Sequence, residues 1–209
     1  MSQPARRKAL FLDRDGVINV DRGYVHKVED FRFVPGSDDA MRRLQAAAWR
    51  LVVVTNQSGL ARGLYSKADY DRFTAHLQGQ LAAIGVTVDA VLHCPHLPDA
   101  TVAAYRLQCD CRKPAPGMLL RAARDLGLDL TASVMVGDRL SDIEAGRAAG
   151  VGHNVLVRSG NAPEPDGAER AADAVYDSLA AFTEAWLSQS PHAASPPRDG
   201  PPIDAAGRR

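Results

Sequence analysis

Ala9-Leu10-Phe11-Leu12-Asp13-Arg14-Asp15-Gly16 joins a short apolar run to a cluster of charge, with nothing polar inside the run. A run that is apolar on both faces suits a strand covered from both sides, as in a parallel sheet between helical layers. Similar runs recur at Leu51 to Val54, Val88 to Leu92, Ser133 to Val136 and Val155 to Val157. Helical spacing fills the intervals. Residues 37–48 carry Ala40, Met41, Leu44 and Ala47 or Ala48. Residues 67–84 carry Tyr70, Phe73, Leu77, Leu81 and Ile84. Residues 117–126 end near Gly127, and Asp142 to Ala149 ends at Gly150. This alternation predicts an α/β fold with a doubly wound parallel sheet. Helical period returns from Ala168 to Leu187, with Ala172, Val175, Leu179 and Phe182 as a docking face. From Ser188 onward the chain is rich in Pro, Ala and Gly with little to bury, so the expected organisation is one domain over 1–187 and a disordered tail over 188–209.

Composition narrows the function. Among 209 residues, Lys plus Arg is 25 and Asp plus Glu is 25, which leaves no basic excess to recruit nucleic acid. Basic residues Arg6, Arg7 and Lys8 precede the first apolar run, but it ends at Asp13, short of a secretory core. No stretch approaches the roughly 20 apolar residues of a membrane span. A soluble, cytoplasmic, monomeric protein is expected. The odd number of cysteines, 3, argues against a disulfide framework.

Four polar motifs are expected just beyond the carboxyl ends of strands, where a doubly wound fold places its chemistry. In Asp13-Arg14-Asp15-Gly16, residues two apart on an extended segment face the same side, so both carboxylates can meet one point. Thr55-Asn56-Gln57-Ser58 offers hydrogen-bond donors. Arg112-Lys113 precedes Pro114. Gly137-Asp138-Arg139-Leu140-Ser141-Asp142 adds further carboxylates. Any one of these could be a turn or a helix cap. Acidic residues gathered at one sheet edge would repel without a cation, and hard oxygen ligands suit magnesium.

FLDRDGVIN, VVVTNQSG, CRKPAPGM and VMVGDRLSD match, in order, the four motifs of the haloacid dehalogenase (HAD) superfamily of phosphohydrolases. GYVHKVEDFRFVPG, TNQSGLARG, CPHLP, CDCRKPAPGMLLRA and VGDRLSDIEAG extend the match, so that residues 8–160 resemble the D-glycero-D-manno-heptose 1,7-bisphosphate phosphatase family. The resemblance implies a Rossmann-like HAD fold. It also implies removal of the C7 phosphate of a phosphorylated heptose, within heptose or lipopolysaccharide biosynthesis. Asp13 would be the nucleophile, forming an aspartyl-phosphate. Asp15 would be the general acid and base. Asp13 and Asp138, with the main-chain carbonyl of Asp15, would bind Mg²⁺. Thr55 and Lys113 would hold the phosphoryl oxygens. Asp142 would orient Lys113, assist at the metal, or simply supply a helix-start charge.

Cys94-Pro95-His96 is followed, after twelve residues, by Cys109-Asp110-Cys111. Three thiols and an imidazole form the closed tetrahedral set of structural zinc, and thiolates select against magnesium. His93 could compete; the C-P-H element of the resemblance favours His96. A zinc staple would also explain a long irregular segment from His93 to Lys113, since structureless loops beyond about 15 residues are uncommon in compact domains. It would hold the phosphate-binding Lys113 in place.

The short segments between motifs leave no room for a large cap domain. An open pocket is expected, shaped by residues 20–30, 57–63 and 93–112. Asp21, Arg22, Gly23, Tyr24 and His26 lie on the first loop and Arg62 on the second. Together with Asn56, Gln57, Ser58, Arg112 and Arg139 they are the candidate substrate-binding residues. Arginine forks suit a second phosphate; Arg62, Arg112 and Arg139 are candidates, and the resemblance implies that Arg112 and Arg139 contact substrate. The closest rival is a histidinol-phosphate phosphatase, which shares C-P-H-L-P and D-C-R-K-P; the G-Y-V-H loop and G-L-A-R-G turn favour the heptose branch. A non-catalytic phosphosugar-binding protein is disfavoured because Asp13, Asp15, Thr55, Lys113 and Asp138 are all present.

Overall fold

The computed structural model describes residues 7–160 and 167–189. Six strands form one parallel sheet: β1 (Ala9–Leu12), β2 (Arg50–Asn56), β3 (Ala90–Cys94), β4 (Val134–Gly137), β5 (His153–Val157) and β6 (Ala174–Tyr176). Their spatial order is β3-β2-β1-β4-β5-β6. β1 therefore has β2 on one side and β4 on the other, in register from Leu10 to Leu12 on both. The chain winds outward from β1 in both directions. The crevice at the carboxyl ends of β1 and β4 is the switch point where such sheets bind ligands.

The apolar runs alternate between the two faces. Leu10, Leu12, Leu51, Val53, Val136 and Val155 bury against α1 (Ser37–Ala46), α3 (Lys67–Ala83) and α7 (Leu179–Gln189), through Met41, Leu44, Phe73, Leu77 and Phe182. Ala9, Phe11, Val52, Val54 and Met135 bury against α4 (Gly117–Leu126) and α5 (Leu140–Ala149), through Met118, Leu119, Ala122 and Ala145. β1 is fully buried along its length. Burial of Leu10, Phe11 and Leu12 stabilises the fold by about 1.5–3 kcal/mol each. Buried apolar residues on both faces leave the sheet's polar groups to cluster at its carboxyl edge.

Helix ends follow local chemistry. Ser66 and Asp69 form a reciprocal capping box at the start of α3. Gly127 and Gly150 close α4 and α5 in left-handed conformation, as the sequence predicts. A short helix, α2 (Ser58–Ala61), and 3-10 turns at Val28–Asp30 and Ala103–Tyr105 lie where no periodicity signals them, while the short α6 (Ala168–Ala171) opens the stretch where helical period returns.

One expectation is corrected. The stretch from Ala168 to Leu187 is not one helix. Ala172 leaves helical backbone at ψ 151, β6 pairs with β5 from Ala174 to Tyr176, and α7 begins only at Leu179. Asn154 explains the break. Its backbone and side-chain N–H groups donate to the Asp173 carboxylate, while Asp173 N donates to the Asn154 carbonyl. This tertiary clamp overrides the helical propensity of an alanine-rich segment. Leu179 and Phe182 do dock, on the face of α7. The final helix continues through Ser188 and Gln189, two residues past the expected boundary; the rest of the expected tail lies outside the described residues. Among the described residues, no helix is long and apolar enough to cross a membrane.

Candidate active site

The carboxyl ends of β1, β2 and β4 and the segment before α4 bring the four motifs to one cavity of about 300 Å³. Asp13, Asp15, Thr55, Asn56, Gln57, Ser58, Arg112, Lys113, Arg139 and Asp142 line it, with Asp21, Gly23 and Tyr24 from the first loop. Arg22 and Arg62 are exposed and do not line it; of the three arginines expected to meet a second phosphate, Arg112 and Arg139 do line it. Tyr65 and Ser141 line it without having been read from the sequence. For Tyr65 the sequence carries no signal: its ring fills the space left by Gly59, six residues earlier, only once the chain is folded.

Asp13 directly follows β1 and is held in line by its backbone N–H, which donates to the Val136 carbonyl across the sheet at 3.0 Å. The Lys113 ammonium sits 2.9 Å from Asp13 Oδ1 and 2.6 Å from Asp142 Oδ1, and donates to the Val54 carbonyl at 2.7 Å. Asn56 places that lysine: its side-chain amide accepts from Lys113 N at 3.1 Å and donates to Lys113 O at 2.9 Å. Asp142 also accepts from Arg139 N at 3.0 Å, completing the start of α5. It thus both orients Lys113 and supplies a helix-start charge. Arg139 reaches back to Asp21 at 3.1 Å and ties the first loop to the fourth motif.

Three carboxylates here share little water. Asp13, Asp138 and Asp142 place oxygens within 4.8 Å of one another. Burial pushes the Asp13 carboxyl up to about 6; Lys113 opposes this and Asp142 and Asp15 add to it. Burial, then Asp13 and Asp142, push Asp138 up to about 8 against the pull of Arg139 and Lys113. Both Asp138 oxygens are buried without a hydrogen-bond partner. A Cβ at Gly16, whose φ is +84°, would lie 2.5 Å from Asp138 Oδ2, and one at Gly160 would overlap it, so both positions need glycine. Unpartnered buried carboxylate oxygens with no thiolate or imidazole among them fit a hard divalent cation such as Mg²⁺, which would favour their ionised forms.

The cysteines form a second centre. Cys94, His96, Cys109 and Cys111 gather their ligand atoms within 4.8 Å. Sulfur separations are 3.2–3.5 Å and His96 Nδ1 lies 3.4 Å from Cys111 Sγ. Ligands about 2.3 Å from a tetrahedral zinc would sit about 3.8 Å apart. All three cysteines are free thiols. His93 faces the opposite side of β3, its ring tilted against Tyr70 at 4.2 Å, with burial holding its pKa down to about 4; His96 is the fourth member. The cluster abuts the catalytic segment. Gln57 N donates to the Cys94 carbonyl and Arg112 to the His96 carbonyl. Zinc loss in Cys109→Ala is therefore expected to lower kcat/KM by up to about 100-fold through displacement of Lys113. Metal content and turnover measured on the same sample check this; full zinc-free turnover would contradict it.

A family model described as HAD-hydrolase-like matches residues 110–182. The D-glycero-beta-D-manno-heptose-1,7-bisphosphate 7-phosphatase of Escherichia coli K12 is 50% identical over 181 residues, covering 87% of this chain and 94% of its own. The enzyme of the same name from Photorhabdus laumondii is 49% identical over 177 residues, covering 85% and 94%. The D,D-heptose 1,7-bisphosphate phosphatase of B. bronchiseptica, solved with magnesium and phosphate, superposes with a TM-score of 0.74 at 38% identity, over 88% of this chain and 99% of that one. Half-identity across nearly the full length of these relatives means that the chain belongs to the D-glycero-beta-D-manno-heptose-1,7-bisphosphate 7-phosphatase family of HAD-like hydrolases.

Proposed function

We propose that this chain removes the 7-phosphate of D-glycero-β-D-manno-heptose 1,7-bisphosphate. The observation that supports it most is the gathering of Asp13, Thr55 and Lys113 at one switch-point cavity, with the buried Asp138 carboxylate grouped with Asp13 behind it, in a chain half identical to relatives of that name. Asp13 attacks phosphorus and the bond to the sugar oxygen breaks. Asp15 gives that oxygen its proton. A water then attacks the aspartyl-phosphate, Asp15 takes the water's proton, and Asp13 is regenerated with release of phosphate. The Thr55 hydroxyl accepts from Gln57 at 2.8 Å, which turns its own proton toward the cavity. Mg²⁺ bound by Asp13, Asp138 and the Asp15 carbonyl would offset phosphoryl charge.

Arg112 and Arg139 are the cationic side chains available for the second phosphate. Asp21, Gly23, Tyr24, Gln57 and Ser58 border the sugar. The enzyme acts as a monomer on a small phosphosugar in the cytoplasm, where its free thiols stay reduced. A substrate panel tests the assignment. kcat/KM for the β-anomer of the heptose bisphosphate should exceed that for histidinol phosphate at least about 100-fold, because arginines built for a second phosphate are left unpaired by a monophosphate. Equal or better turnover of histidinol phosphate would overturn the assignment.

A further inference from the structure

Arg14 stands between the two aspartates of the first motif, and its guanidinium is buried. Its residue exposure is 1%. The planar group lies 4.6 Å over the Phe73 ring and donates to the Val25 carbonyl at 2.8 Å. Its other contacts go to one carboxylate. Nε and an NH₂ group reach Asp15 Oδ1 at 3.2 and 2.8 Å, and the same NH₂ reaches Oδ2 at 2.7 Å. A buried cation is costly, and an apolar side chain would cover Phe73 without that cost. What a guanidinium adds is a rigid fork that fixes both oxygens of a carboxylate in one plane.

Asp15 has two further struts. Asn19 Nδ2 donates to Oδ1 at 2.9 Å and Gln57 Nε2 to Oδ2 at 3.1 Å. The Gln57 amide is itself oriented, since the Tyr65 hydroxyl donates to its Oε1 at 2.6 Å. A side chain at Gly59 would overlap the Tyr65 ring, so the tyrosine has one place to lie. Asp15 nonetheless lines the cavity. Its carboxylate is gripped from behind and presented in front.

We propose that Arg14 is a positioning residue for both proton transfers by Asp15, with the Tyr65–Gln57 pair as a secondary support. This rests on the reading of Asp15 as the acid and base. Arg14 neither lines the cavity nor belongs to the carboxylate cluster of Asp13, Asp138 and Asp142. It acts by holding one carboxylate where the leaving sugar oxygen and later the attacking water must be.

The test uses leaving groups of different basicity. A sugar alkoxide needs a proton as it departs; p-nitrophenolate does not. In Arg14→Met, kcat/KM for the heptose bisphosphate should fall about 100-fold or more, the scale of general acid catalysis. For p-nitrophenyl phosphate it should fall only a few-fold. Asp15→Asn should show the same split, more strongly. Adding Arg14→Met to Asp15→Asn should cost little more on the sugar substrate, and this cycle decides even where the aryl phosphate is a poor substrate. Equal losses on both substrates, or full additivity with Asp15→Asn, would overturn the role of Arg14. An Asp15→Asn variant with no split would instead overturn the reading of Asp15. Should Arg14→Met fail to fold, Arg14→Lys keeps the charge without the fork and should show the same split at smaller size; an equal loss on both substrates there counts against the proposal.

Discussion

Asp13→Asn is expected to abolish phosphate release, by at least about 10⁴-fold, while the protein stays folded. The size follows from the loss of a covalent route rather than of one contact. An amide has nearly the shape of the carboxylate but cannot form the phosphoenzyme. Stability should not suffer, because the replaced group is strained electrostatically. Burial and the neighbouring carboxylates lift Asp13 to about 6 despite a lysine 2.9 Å away. A neutral side chain removes like-charge repulsion with Asp138, and Lys113 keeps Asp142 at 2.6 Å. Thermal denaturation of the metal-free variant should therefore occur no lower than that of the metal-free wild type. Single-turnover phosphate release from the heptose bisphosphate provides the activity measurement. Measurable turnover in the variant would move the nucleophile to another residue.

What could be read from sequence here was whatever depends on neighbours in the chain. The apolar run from Ala9 to Leu12, the adjacent Asp13 and the two C-x-[HC] pairs need no knowledge of the fold to be noticed. The switch point then follows from strand order, which places the ends of β1 and β4 together. Features set by distant partners were hidden. β6 exists because Asn154 and Asp173 clamp two segments far apart in sequence. Arg62 offers an arginine fork on the second loop, yet α2 ends at Ala61 and leaves it exposed outside the cavity. Asn56 reads as a donor for substrate, but both ends of its amide engage the Lys113 backbone. Nothing in the sequence singles out Arg14 between its two aspartates, and its burial shows only where Phe73 and Val25 close over it. Burial of a charge is a tertiary fact, and those are the positions where local pattern misleads.

Lys113→Met should damage both catalysis and stability, by separable routes. A phosphoryl group close enough for attack by Asp13 has its oxygens beside an ammonium that already lies 2.9 Å from that carboxylate. Losing such a preorganised cation should lower kcat by about 10²–10³. The lysine is also a buried counter-ion. Burial alone would lower its pKa, but Asp13 and Asp142 outweigh burial and raise it. Removing one partner from such a group leaves uncompensated buried charge, at about 3–5 kcal/mol. The sign with pH is fixed by Asp13. Its folded pKa already exceeds the ordinary 3.8, and loss of the lysine raises it further. A carboxyl raised on folding favours the folded state while protonated, and this contribution is lost as pH rises from 3.8 through and beyond 6. The destabilisation of Lys113→Met should thus be small near pH 5 and large near pH 8. Adding Asp142→Asn removes one stranded charge and should restore much of the lost stability without restoring turnover. Urea denaturation at both pH values, with turnover assayed alongside, separates the two effects. A stability loss independent of pH, or one that Asp142→Asn fails to relieve, would mean that Lys113 does not hold the carboxylates together.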